Sequence, residues 1–186
     1  MNMKPQLRCQ ENELAGFARR YHYPLEDAEL LALKPCILER GWMTKDELRT
    51  LAQWKARRSA GHIEANSGEY VEEITRLAFA ATTERARIEI LTVLDGVGWP
   101  MASVILHFFH REPYPILDFR ALWSVSLTPP YGFDLWSPYV EFCRGLANRT
   151  GLDMRTLDRA LWQYSNENQK TAKQDHPCNT GRRADL

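Results

Sequence analysis

The sequence predicts an all-α protein, a compact bundle of about nine helices. Apolar residues recur at helical spacing through most of the chain, no stretch reads as a strand, and Pro or Gly punctuation leaves only short connections. Helical spacing occupies residues 11–20, 26–33, 45–57, 69–80, 84–94, 100–110, 119–126, 135–148 and 154–168.

Each boundary has a local reason. Pro24 and Pro35 bound the second segment, and Thr44 followed by Glu47 has capping-box spacing for the third. Gly61 and Gly68 separate the third and fourth segments, and Asp95-Gly96-Val97-Gly98 closes the fifth. Pro113 and Pro115, then Pro129, Pro130 and Gly132, isolate the short segment at 119–126. Gly151 ends the eighth, and Asp153 is a plausible N-cap for the last, whose Leu157, Leu161 and Tyr164 form one apolar stripe. Residues 1–169 read as one helical domain, and KTAKQDHPCNTGRRADL, from Lys170 onward, reads as a solvated tail.

Composition is that of an ordinary globular protein, with 44% hydrophobic and 26% charged residues. No run approaches a membrane span, and Glu11 and Glu13 interrupt the amino terminus before a secretory apolar block can form. A cytoplasmic monomer with no membrane partner is expected. Cys9, Cys36, Cys143 and Cys178 are scattered without a CxxC pair, as suits reduced thiols rather than a zinc knuckle or disulfide framework. His107 and His110 lack companion ligands at metal spacing, so no metal is expected and both read as surface or core histidines. Lys plus Arg and Asp plus Glu are 24 each, which gives the chain no global positive field. Nucleic acid stays open as a partner, because a local cluster or a set of backbone amides can hold phosphates.

The informative stretch is 88–125. Its first helix presents Ile88, Leu91 and Leu94 on one face, and a second restarts at Pro100 with Ala102, Ile105 and Phe109 as its buried line. Two glycines around Val97 let the backbone reverse tightly, since Gly takes positive φ and Val97 can tuck between the helices. The amides of Gly96, Val97, Gly98 and Trp99 can then approach an anion, helped by the helix dipole. Such a pocket suits a DNA phosphate and carries no base information. A purely structural αα-hairpin has the same turn.

The words around the turn resemble the helix-hairpin-helix DNA glycosylase superfamily, endonuclease III and MutY among its members. LDGVGWPMASVIL resembles the hairpin at 84–110, HREPYP the loop, and PILDFRAL the aspartate segment at 113–126. The spacing from Gly98 to Asp118 is that of the family, and LDRALWQYS at 157–165 is a weaker echo of a late helix. The resemblance implies a two-lobe helical fold that binds double-stranded DNA and excises a damaged or modified base.

Breaking an N-glycosidic bond builds positive charge on the sugar, which a carboxylate beside it stabilises. Asp118 is the candidate for that role, and it is equally placed to be an ordinary N-cap. Strand-cutting relatives carry a lysine soon after the hairpin, where this chain has Trp99-Pro100-Met101-Ala102-Ser103. The resemblance therefore implies a monofunctional, water-using enzyme, unless the fold brings Lys55 or another distant amine to the aspartate. The family's four-cysteine iron-sulfur loop is also missing, so no cluster and no cofactor is expected. Arg120 is expected either to keep Asp118 ionised or to neutralise it as a structural pair.

Trp54, Lys55, Arg57 and Arg58 form the most concentrated basic and aromatic patch, suited to phosphate contact and stacking, or to a solvated helix end. Walls of a base pocket are expected from residues 54–58, 62–70 or 162–164, while Trp123, Trp136 and Trp162 have core packing as their default. Two other functions fit the residues: a non-catalytic hairpin module that only binds DNA, and a helical interaction protein with no DNA affinity.

Overall fold

The protein was analysed as a computed structural model, which describes residues 4–21, 27–55 and 57–169, with side chains omitted at 57–59. The expected tail at 170–186, with Cys178, lies outside the described residues. The fold is all-helical, and no strand occurs among the described residues. Among the described residues a 3₁₀ turn at Glu11–Glu13 leads into ten α-helices. They are α1 (Leu14–Arg20), α2 (Ala28–Arg40), α3 (Lys45–Lys55), α4 (Arg57–Ile63) and α5 (Gly68–Ala80). They continue with α6 (Glu84–Leu91), α7 (Trp99–Phe109), α8 (Phe119–Ser124), α9 (Phe133–Thr150) and α10 (Met154–Asn168).

Two elements differ from the sequence expectation. α2 runs through Pro35 to Arg40 and stops at Gly41, whose φ of 80° supplies the left-handed cap. α4 is an additional helix, and Gly61 lies inside it rather than marking a connection. The expected caps are present. The Thr44 amide donates to Glu47 Oε2 at 2.7 Å while the Glu47 amide donates to Thr44 Oγ1 at 3.2 Å. Asp153 Oδ1 accepts from the Thr156 amide at 2.9 Å.

α7 is the centre of the molecule. Met101 to Leu106, Phe108 and Phe109 are all buried, so this helix is enclosed on most of its circumference and packs against α2, α3 and α6. A second layer is built on α10, which packs against α1 and α8 and buries Leu157, Ala160 and Leu161. Each fully buried leucine of this kind contributes about 1.5–3 kcal/mol. Between the layers runs the loop 110–118, held by its carbonyls. Tyr114 O meets His107 Nδ1 at 2.6 Å, and Ile116 O accepts from Tyr139 Oη at 3.2 Å. His107 and His110 are thus interior residues of this loop junction, and burial holds both imidazoles below their ordinary pKa.

Candidate functional site

The turn between α6 and α7 is tight, and Val97 is 3% exposed beneath it. Asn66 braces it from outside by donating to Asp95 O at 3.0 Å and accepting from the Asp95 amide at 3.0 Å. Only Gly96 needs its freedom, with φ 81°. Gly98 has φ −84°, and a Cβ there would meet nothing closer than Pro100 Cδ at 3.9 Å. The fold itself would accept a side chain at 98, so its bareness is not an intramolecular requirement. Gly98 caps α7 without a side chain, and Pro100 sits in the first turn, where a missing amide costs nothing.

The turn is tied to the aspartate through Ser103, a residue not singled out in the sequence. Its hydroxyl donates to Pro100 O at 2.7 Å and accepts from the Leu117 amide at 2.8 Å. One buried side chain of α7 therefore fixes the backbone immediately before Asp118. Asp118 in turn does two things at once. Oδ1 caps α8 by accepting from the Arg120 amide at 2.9 Å, while Oδ2 faces Lys55 Nζ at 3.5 Å.

Lys55 and Asp118 have side chains 20% exposed. Their separation is long for a hydrogen bond, whose usual range is about 2.7–3.2 Å. Oδ2 therefore keeps room for a further donor or a positive charge. The fold does bring a distant amine to the aspartate, from the last turn of α3, across 63 positions of sequence. The expected partner, Arg120, is turned elsewhere. Its guanidinium lies over the rings of Phe119 at 5.2 Å and Trp162 at 5.3 Å, and only its backbone amide meets Asp118.

Both groups open into a cleft of about 140 Å³. At about 30 Å³ per water this is roughly the room of five waters, or of one planar ring system. Tyr21, Trp54 and Trp162 supply aromatic walls, with Ile116, Arg155 and Asp158 completing them. Tyr21 and Trp162 meet edge to face, with centroids 5.4 Å apart, and Trp54 meets Phe108 likewise at 5.2 Å. Trp54 is thus a wall of a recess rather than part of a flat stacking surface. Its indole Nε1 is enclosed and has no acceptor among the described residues.

Behind these walls lies an ion network absent from the sequence expectation. Arg155 grips Asp27 with two hydrogen bonds, Nε to Oδ2 at 2.6 Å and Nη2 to Oδ1 at 2.7 Å, and reaches Asp158 Oδ2 at 2.6 Å through Nη1. Arg159 adds a third bond to Asp27 at 2.8 Å. Asp27 is 5% exposed. Burial alone would raise its carboxyl pKa, and the two guanidiniums outweigh that and hold it below the usual carboxylate range. Tyr21 is pushed up to about 12, chiefly by burial, so its phenol stays protonated.

Of the residues expected at the site, Asp118, Lys55 and Trp54 come together, and Trp162, whose default is core packing and whose segment is a candidate wall, joins them. Of Gly96 to Trp99, Trp99 begins α7 and stands about one helix turn before Ser103. Arg57 and Arg58 begin α4, and their side chains lie outside the described ones. The segment 62–70 supplies no wall of this cleft. Tyr21, Arg155 and Asp158 carried no signal beyond helical spacing and charge. Among the described residues no three His, Cys, Asp or Glu side chains gather as a metal site. No helix among the described residues is long and apolar enough to cross a membrane. No family model, curated protein or solved structure matches the chain.

Proposed function

We propose that this protein is a DNA glycosylase that hydrolyses the N-glycosidic bond of a damaged or modified base in double-stranded DNA. The observation that supports this reading is Asp118, its Oδ2 uncommitted to the α8 cap, at the edge of a ring-sized aromatic cleft. A base turned out of the duplex would stack between aromatic walls. The anomeric carbon left outside would develop positive charge next to Oδ2, which lowers the barrier electrostatically and orients the attacking water. The amides at the Gly98 end of α7 would hold a neighbouring phosphate, with Ser103 fixing their spacing from Asp118.

Base release from a panel of lesion-bearing and modified duplexes, read as strand breaks after alkali, tests the reading. Release by the wild type and its loss in Asp118→Asn, with duplex binding kept, is the expected result. No release from any duplex that is bound favours the non-catalytic binding module instead, and no salt-dependent DNA affinity at all favours an interaction protein.

Lys55 favours one specific variant of the mechanism. Its amine, once neutral, can attack the anomeric carbon while the base departs with the bonding pair, and loss of a proton and ring opening then give an imine to the sugar. Borohydride added during turnover would reduce that imine to a covalent protein–DNA adduct. An adduct formed by the wild type and not by Lys55→Gln assigns the amine this role, and base release without an adduct assigns hydrolysis by water.

A further inference from the structure

A second cleft, of about 360 Å³, shares no lining residue with the Asp118 cleft and lies where the ends of α2, α5 and α7 meet. Its walls include Phe79 and Phe109, and its polar lining is Arg40, Arg76, Arg111 and His110, with no carboxylate among them. The three arginines differ in their partners. Arg40 is paired with Glu47 and stacks over the Trp42 ring at 4.3 Å. Arg76 lies over the same ring at 5.3 Å and has no acidic partner among the described residues, although its side chain is exposed. Arg111 makes one long contact, to Leu38 O at 3.5 Å, and likewise has no acidic partner there.

Elsewhere among the described residues Arg20, Arg49, Arg85, Arg87, Arg144, Arg149, Arg155 and Arg159 meet carboxylates, and Arg8, Arg19 and Arg120, which do not, line neither cleft. Two unpaired guanidiniums beside one cleft are therefore a local surplus. The carboxyl ends of α2, α5 and α7 offset about one and a half units of it, at roughly half a charge each. The cleft keeps a positive balance. His110 adds no charge near neutrality, because burial and Arg87 hold its imidazole below its ordinary pKa. Its Nδ1 is already occupied by the Glu112 amide at 3.0 Å.

We infer that this cleft is a binding site for a small phosphate monoester with an aromatic body, of the size of a 5′-mononucleotide. Guanidinium forks match phosphate oxygens in pairs, and a phosphate monoester brings between one and two negative charges near neutrality. Phe79 and Phe109 provide the apolar contact for a ring. The volume lies at the low end of the range of about 300–1,000 Å³ typical of ligand sites, which fits one nucleotide and not two. The site is separate from base excision, and its test uses no DNA.

Calorimetric titration with adenosine 5′-monophosphate, adenosine and inorganic phosphate, each alone, tests the inference. The monophosphate is expected to bind, and adenosine and phosphate to bind at least about tenfold more weakly, since each supplies half of the recognition. The double variant Arg76→Gln/Arg111→Gln, at two exposed positions, is expected to keep its melting temperature and lose at least about tenfold in affinity. Asp118→Asn is expected to bind like the wild type. Absence of monophosphate binding at millimolar concentration, phosphate binding as tightly as the monophosphate, unchanged affinity in the double variant, or loss of binding in Asp118→Asn would each overturn the assignment.

Discussion

Asp118 is both a helix cap and the proposed catalytic carboxylate, and two substitutions separate those roles. Alanine removes both oxygens. The α8 cap, Oδ1 to the Arg120 amide at 2.9 Å, is worth about 1 kcal/mol. The pair with Lys55, at 3.5 Å and part-exposed, adds no more than about 1 kcal/mol. The sum is about 1–2 kcal/mol. At about 2–4 °C per kcal/mol for a chain of this size, Asp118→Ala should melt about 2–8 °C below wild type. Asparagine keeps an oxygen for the Arg120 amide and loses only the charge, so Asp118→Asn should melt no more than about 4 °C below wild type. Base release should nevertheless vanish in both, because only the charge serves the sugar. Thermal melts and alkali-revealed strand breaks, on the same preparations, give the two readouts. Equal melting temperatures for the two variants would refute the capping account, and base release by Asp118→Asn would refute the catalytic one.

Other consequences follow from the network around the cleft. The double variant Arg155→Met/Arg159→Met leaves Asp27, 5% exposed, without its guanidinium partners, and breaking a buried pair in this way costs about 3–5 kcal/mol. The melting temperature should fall by about 6–20 °C in calorimetry, and a drop of under 3 °C, about 1 kcal/mol, would mean the network carries little. Ser103→Ala strands the buried Leu117 amide at a cost of about 1–3 kcal/mol and frees the backbone before Asp118, so base release should fall more than duplex binding does. Equal loss of both would show Ser103 to be structural only. Acid should weaken the fold in two stages. His107 and His110 are held below their ordinary pKa, so their contribution is complete above about pH 6.5 and is lost as pH falls below it. Asp27 and Glu84 have depressed carboxyl pKa values, so theirs is complete above about pH 4 and is lost below it. A melting temperature that stays flat from neutrality to pH 4 would contradict the first stage.

What the sequence reveals and conceals follows from the range of the interactions. The caps at Thr44 and Asp153 are legible because each is complete within four residues. The apolar faces of α6 and α7 are legible because period survives in sequence. α4 is not, since its Arg-Arg-Ser-Ala-Gly-His-Ile run has too few apolar positions to show a face, and Gly61 looks like a break. α2 continues past Pro35 against the local expectation, anchored by Leu30 and Ile37 in the core. The site shows the same division. Asp118 was visible from its place after a proline loop and before a helix, and its cap role is local. Its ion pair is not local, and a neighbour in sequence, Arg120, was the natural suspect until the first turn of α8 carried that side chain away toward Trp162. Arg155, read along the chain, is one more charge on an amphipathic helix. Only the fold brings it to Tyr21, at the end of α1, and to Asp27, at the start of α2.

The most direct measurement compares affinity for duplexes carrying either a cationic pyrrolidine or a neutral tetrahydrofuran in place of one nucleotide. The pyrrolidine imitates the charged sugar of the transition state. Asp118 should make the wild type prefer the cation by about tenfold or more, equal to about 1.4 kcal/mol and at the low end for a hydrogen bond between charged groups. Asp118→Asn should lose that preference while binding the neutral duplex as before. Equal affinity of the wild type for both duplexes would contradict the placement of this carboxylate beside the reacting sugar.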